Sequence, residues 1–206
     1  MKPALVWLLA SYLLGAVPTS YIAERLFRGI DLREHGSKNL GATNLYRVLG
    51  WRVAVPVGLF DMAKGLIPVL LFAPRVSSSQ TFALVCGLTA MVGHVFSVFV
   101  GFKGGKGVAT AAGVMLGLTP AALLIAHAVW IAVVALTGYV SLGRIVAAAV
   151  FPVVVRLVDP PEQPEILWLD MAAAAAIIWL HRANIARLLR GTENRFGRRA
   201  APHPRP

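Results

Sequence analysis

Six continuous apolar runs leave this chain one environment in which to fold: about Pro3–Ala23, Arg52–Ala73, Thr81–Val100, Val108–Thr137, Leu142–Val158 and Ile166–Leu180. Most approach the roughly 20 residues that cross a bilayer as a helix. In hydrocarbon the backbone must satisfy its own polar groups, so a spanning run is a helix or part of a closed barrel. Barrel strands alternate apolar with polar residues, and these runs do not. The expected fold class is therefore all-α, a polytopic transmembrane bundle. Hydrophobic residues at 57% against 14% charged fit one bundle, not a soluble domain with an anchor. No small-residue cleavage site closes the first run, so it reads as a retained span, not a signal peptide.

Charge then orients the runs. Arg25, Arg28, Arg33, Lys38 and Arg47 lie between the first two, and Arg182, Arg187, Arg190, Arg195, Arg198, Arg199 and Arg205 follow the last. Basic segments beside spans stay in the cytoplasm, whereas the acidic stretch Asp159–Glu165 is expected outside. The net charge of +11 does not point to nucleic acid, because it carries no aromatic-interleaved patch and no zinc-finger spacing. An outside N-terminus and inside C-terminus require an odd number of crossings. Splitting Val108–Thr137 at Thr119-Pro120 gives seven helices, with Val108–Leu118 short enough to be a half-helix lining a cavity. Residues 1–197 are expected to form one domain and 198–206 a disordered basic tail touching anionic lipid.

Inside the runs, Asp61 and Lys64 stand three residues apart. A lone charge at mid-bilayer is unfavourable by about 2.5–3.5 kcal/mol, so a mutual buried pair is expected. His127 is expected as a hydrogen-bonding core residue, and Cys86, the only cysteine, as a packing residue. Gly113 and Gly117 have the spacing of close helix contacts, and Ala172–Ala176 is a run of alanines.

Three polar clusters fall on the predicted cytoplasmic side. Glu34–Arg47 offers glycines, hydroxyls, amides and an arginine but few carboxylates, an inventory that donates to anions. Gly101–Thr110 places Lys103 and Lys106 among four glycines. There, successive N–H groups could cradle a phosphate with lysine adding charge, or a tight turn could carry two topology-setting lysines. In His181–Glu193, His181 and Asn184 share a helical face, with Arg187 one turn on. Capping or turn formation by Ser37 and Asn39, and interfacial polarity for His181 and Asn184, are the structural alternatives.

These clusters, with DMAKG at Asp61–Gly65 and GYVSLG at Gly138–Gly143, resemble the motifs of the bacterial acyl-phosphate:glycerol-3-phosphate acyltransferase family, PlsY, over nearly the whole chain. The resemblance implies a multi-pass enzyme of the bacterial cytoplasmic membrane with its active site toward the cytoplasm. It would move an acyl group from acyl phosphate to the 1-hydroxyl of glycerol 3-phosphate, giving lysophosphatidic acid and phosphate. It implies no cofactor and no metal; partners would be the two substrates, membrane lipid and the enzyme supplying acyl phosphate. It implies catalytic roles for Ser37, Arg47, His181 and Asn184. Substrate binding would fall to Asn39, Asn44, Lys103, Gly104, Gly105, Lys106, Gly107, Ser141, Arg187 and Glu193. The family's mechanism is substrate-assisted, with a donor phosphate oxygen taking the hydroxyl proton. Lys38, Ser97 and Arg144 depart from the family's usual glycine, proline and small residue.

The chemistry is consistent on its own terms. An acyl phosphate is already activated, and two phosphate-bearing substrates need many donors and few acids. An anion transporter is the main rival, and a membrane scaffold the second. Clustering of polar residues at one face disfavours the transporter, since transporters bind near the midplane. No Walker-type phosphate loop and no His-x4-Asp pair occur.

Overall fold

The computed structural model describes residues 2–161 and 163–196; the expected tail at 198–206 lies outside them. The described chain is helical: α1 (Lys2–Ala16), α2 (Thr19–Arg28), α3 (Ala42–Leu49), α4 (Trp51–Ile67), α5 (Gln80–Val95), α6 (Val108–Leu118), α7 (Pro120–Thr137), α8 (Val140–Val158), α9 (Glu165–Leu180) and α10 (Arg182–Leu189). Five helical stretches are long and apolar enough to span a membrane, or six if α9 and α10, bent by 54°, count as one.

Of two runs interrupted by proline, one departs from its expected extent and the other divides as expected. The first continues to Arg28 but breaks at Val17-Pro18, because proline has no N–H to donate. It ends at Gly29, whose left-handed φ of 65° lets its N–H reach the carbonyls of Glu24 and Arg25. The stretch Glu24–Gly50 is therefore not simply polar loop: it holds the end of α2 and all of α3. The long fourth run divides at Thr119-Pro120 as its proline requires, and α6 is only 11 residues. The Asp159 carboxylate accepts from the Ala122 N–H at 2.7 Å, capping α7 from the far end of α8.

Small residues set the packing. A Cβ on Gly65 would lie 2.0 Å from the Thr110 carbonyl oxygen, and one on Gly113 1.8 Å from that of Met62. α4 and α6 thus meet backbone to backbone, a contact that any side chain at these positions would push apart. α1 lies against α5, α7 against α8, and α8 against α9.

The one intramembrane ion pair is made as its spacing predicts among the described residues. Lys64 Nζ is 2.7 Å from Asp61 Oδ1, and both side chains are buried. Lys64 also donates to the Val17 carbonyl at 2.8 Å, an acceptor freed by the α1–α2 break, and Thr19 Oγ1 donates to Asp61 at 2.5 Å. His127 differs from expectation. It is exposed, not a core residue, and its ring tilts against Trp130 at 5.0 Å between centroids. Cys86 is fully buried. Ser97, in place of the family's proline, uses its hydroxyl to donate to the Ala16 carbonyl at 2.5 Å.

Candidate functional site

One end of the bundle gathers the polar clusters around a cavity of about 170 Å³. Ser37, Asn39, Asn44, Arg47, Lys106, Ser141, His181, Asn184, Arg187 and Glu193 all line it. They come from four separate stretches of chain, so only tertiary folding brings them together.

The first wall is the loop before α3. The Asn44 amide donates to the carbonyls of His35 at 2.9 Å, Asn39 at 3.2 Å and Leu32 at 3.3 Å, while its oxygen accepts from the Ser37 N–H at 2.8 Å. The side chain is thus occupied in shaping the loop. A Cβ at Gly36 would fall 2.2 Å from that oxygen, and φ there is +60°, so only glycine fits. The loop's outward product is the Ser37 side chain, with Arg47 one helix further on.

The glycine-rich segment works differently from an N–H nest. The Gly104 N–H donates to Val95 O at 3.0 Å and the Gly105 N–H to His94 O at 3.1 Å. Both are therefore turned inward onto the C-terminal carbonyls of α5. A Cβ at Gly105 would strike His94 Nε2 at 2.3 Å and Leu40 O at 2.5 Å. Close docking against α5 is what these glycines permit, and it delivers Lys106 to the cavity. Gly107 is buried at the start of α6, and Lys103 lies exposed, outside the cavity lining.

Glu193 organises the third wall. Its Oε1 accepts from Ser141 Oγ at 2.9 Å and Asn184 Nδ2 at 2.8 Å, and its Oε2 from Arg187 Nε at 2.7 Å. Asn184 in turn accepts from Lys106 Nζ through its side-chain oxygen. The Glu193 side chain is 2% exposed. Burial pushes its carboxyl up, but the bonds from Asn184, Ser141 and Arg187 outweigh burial and hold it below the usual range. The segment carrying it is pinned by the Phe196 N–H donating to Gly138 O at 2.7 Å and by Phe196 stacked on Tyr46.

His181 sits at the α9–α10 bend, 1% exposed. Its Nδ1 is 2.8 Å from the Ile177 carbonyl oxygen, which can only accept, so in the neutral ring Nδ1 carries the proton. Nε2 is left as an acceptor with no partner among the described residues.

Six residues of the lining were not among the site candidates: Lys38, Gly41, Thr43, Val140, Arg144 and Ala183, of which Lys38 and Arg144 stood out in the sequence only as departures from the family pattern. Arg144 and Thr43 line the cavity, and Arg144 Nη2 donates to Thr43 Oγ1 at 2.5 Å. The available signal was spacing: Arg144 lies three residues after Ser141, on the same helical face. Arg144 also lines a neighbouring apolar cavity among α6, α7, α8 and α9.

The electrostatics are one-sided. Among the described residues, Lys38, Arg47, Lys106, Arg144 and Arg187 face a single acid, Glu193, which is already bonded to three donors. Burial lowers the Arg47 pKa, partly countered by Glu193. Lys106 is lowered to about 8, first by burial and then by Arg144 and Arg187. A cavity with these donors suits bound anions. Among the described residues no three His, Cys, Asp or Glu side chains group as a metal site.

Comparison with known proteins agrees with this chemistry. The family model described as glycerol-3-phosphate acyltransferase matches residues 5–191. A glycerol-3-phosphate acyltransferase of Trichlorobacter lovleyi is 47% identical, over 95% of this chain and 99% of its own. One of Chlorobaculum parvum is 44% identical, over 92% and 96%. Two crystal structures of PlsY (YgiH), an integral membrane glycerol 3-phosphate acyltransferase, share the fold. Its glycerol 3-phosphate form has a TM-score of 0.87 at 39% identity, covering 94% of this chain and 96% of that one. Its lysophosphatidic acid form has a TM-score of 0.84 at 38% identity, covering 94% and 95%.

Proposed function

The chain belongs to the glycerol-3-phosphate acyltransferase family, and from that premise we propose how its polar cavity performs the reaction. The protein transfers a fatty acyl group from acyl phosphate to the 1-hydroxyl of glycerol 3-phosphate, giving lysophosphatidic acid and phosphate for bacterial phospholipid synthesis. The observation that carries the assignment of this site is the convergence, among the described residues, of five cations on a cavity whose one acid is fully engaged. Two phosphate-bearing substrates need that balance.

In the reaction the 1-hydroxyl oxygen bonds to the acyl carbonyl carbon. The tetrahedral intermediate collapses with cleavage of the bond from that carbon to the phosphate oxygen. The hydroxyl proton passes to a phosphate oxygen of the donor, which leaves as inorganic phosphate. Glu193 is not a base in this scheme, because both its oxygens already accept hydrogen bonds. It is a positioning residue that aims Ser141, Asn184 and Arg187. Lys106, held by Asn184, keeps donors for a phosphate. Ser37 and Arg47 hold phosphate or polarise the carbonyl from the opposite wall. His181 Nε2, an acceptor without a partner among the described residues, orients the attacking hydroxyl. Catalysis on this reading is positioning and electrostatic stabilisation. The acyl chain leaves past Arg144 into the apolar cavity.

The proposed setting is the bacterial cytoplasmic membrane, crossed seven times with α6 as the short crossing, N-terminus outside and C-terminus inside. The cavity then faces the cytoplasm, where glycerol 3-phosphate is available, and the enzyme that makes acyl phosphate is a proposed partner. The reading is supported by the basic stretches Glu24–Gly50 and Arg182–Arg195 flanking the site.

The test is an assay of purified protein with glycerol 3-phosphate and palmitoyl phosphate, following lysophosphatidic acid, with palmitoyl-CoA in parallel. Turnover with palmitoyl phosphate alone is expected. Equal turnover with the CoA ester would overturn the substrate-assisted scheme, since a thioester has no phosphate oxygen at the reacting carbon.

A further inference from the structure

The apolar cavity beside the site holds about 250 Å³ and exists because its walls are built from small residues. α8 presents Arg144, Ala147, Ala148 and Phe151, and α9 presents Asp170, Ala173, Ala174 and Ile177. Each set follows the i, i+3, i+4, i+7 spacing of one helical face. The cavity therefore runs along these two helices and has a direction. Its near end is Arg144, shared with the polar cavity, and Ile177, one turn from His181. Its far end is Phe151 and Asp170. Asp170 is eleven positions before His181, so about 16 Å deeper along the helix axis at 1.5 Å per residue.

That far end is chemically unlike the rest. Asp170 is 2% exposed, lines the cavity, and neither carboxylate oxygen has a hydrogen-bond partner among the described residues. Trp130, on the same lining, has an indole N–H without a partner among the described residues. A buried polar group without a partner is unfavourable, and an apolar chain-binding cavity needs none for affinity. Its position at one end supplies a use for it.

We propose that Asp170 is a specificity-determining residue that ends the hydrocarbon path and sets the length of acyl chain the enzyme accepts. The inference rests on the reading that acyl phosphate is the donor and that its chain enters this cavity. Each methylene laid along the alanine walls gains burial. A methylene driven past Asp170 seals the carboxylate in hydrocarbon, away from any water that solvates it, and the gain stops there. The occupant is a saturated fatty acyl chain whose terminal methyl lies short of Asp170 and Trp130.

The test measures kcat/KM for lauroyl, palmitoyl and stearoyl phosphate with wild type, Asp170→Leu and Asp170→Asn in one detergent. Asp170→Leu is expected to raise the stearoyl-to-lauroyl ratio on the order of tenfold, the scale at which apolar pockets discriminate single methylenes. Asp170→Asn, which keeps a polar group, retains the wild-type ratio. Palmitoyl phosphate carrying a terminal hydroxyl is expected to outcompete plain palmitoyl phosphate in wild type and to lose that advantage in Asp170→Leu. An active, folded Asp170→Leu with the wild-type ratio overturns the role of Asp170 and leaves the donor reading standing. No turnover of any acyl phosphate by wild type overturns both. If Asp170→Leu does not fold, the hydroxylated chain decides on wild type alone, and its lack of preference overturns the proposal.

Discussion

Lys106 should make the enzyme lose substrate capture in alkaline solution. Its ammonium is pushed down to about 8, first by burial, then by the Arg144 and Arg187 cations, with Glu193 acting in the opposite sense. A lysine is charged below its pKa, so the phosphate-binding charge is present at pH 7 and is lost as pH rises through about 8. Both substrates' phosphates complete their second ionisation near pH ~6 and contribute no change there. kcat/KM reports groups of the free enzyme, so it should fall by about tenfold per pH unit above the Lys106 pKa. A bound dianion favours the charged lysine, so kcat at saturation should fall only at higher pH. Arginine stays charged throughout, so Lys106→Arg should flatten the kcat/KM profile even if its absolute rate is lower. Arg144→Ser removes a repelling cation and should move the fall to higher pH. The assay is initial-rate lysophosphatidic acid formation from about pH 6 to about pH 10, with uncatalysed acyl phosphate hydrolysis subtracted at each point. A wild-type profile that does not fall, or a Lys106→Arg profile that falls at the same pH, would refute the reasoning.

Asn184→Ala breaks the link between Lys106 and Glu193 and should lower kcat/KM by on the order of 10²-fold, the usual loss of a preorganised electrostatic contact; matched size-exclusion profiles must accompany the rates. Asp61→Ala leaves Lys64 buried without its carboxylate and should destabilise the fold by about 3–5 kcal/mol, read by denaturant titration in detergent. Lys38 has a left-handed φ of 59°, so Lys38→Gly should stabilise by about 1 kcal/mol, the low end of the left-handed penalty, read as a raised melting temperature. In a Cys86→Ala background, Ser78→Cys should react with an impermeant maleimide in intact cells and Thr192→Cys should not; labelling of Thr192→Cys from outside would reverse the proposed orientation.

Local signals carried the helical reading well. Long apolar runs leave the backbone no option in lipid but to bond to itself, so the all-helical class follows from composition and run length. Pro120 marks its break unaided, because a missing N–H acts where it stands. Asp61 and Lys64 predict their own pairing from a three-residue spacing and the penalty of a lone charge. Pro18 carried the same kind of signal as Pro120, but the apolar run continues on both sides of it, and the break was read as part of one span. The core position expected for His127 is wrong, because an apolar helix has a buried and an exposed face and periodicity does not say which one a lone polar residue occupies.

The site divides along the same line. Its residue types were legible as three clusters rich in donors, since phosphate chemistry restricts composition. Their division of labour was not. Nothing in GFKGGKG tells that the Gly104 and Gly105 N–H groups turn inward onto α5, leaving Lys106 as the segment's contribution to the cavity. Nor does the sequence tell that Asn44 is occupied by backbone carbonyls, that Glu193 collects three donors, or that Arg144 faces two cavities at once. By itself the sequence determined the solvent, the helices and the chemical character of the site, which depend on each residue's own backbone and charge. Which donor meets which acceptor depends on distances between segments far apart in the chain, and those distances exist only once the helices have packed.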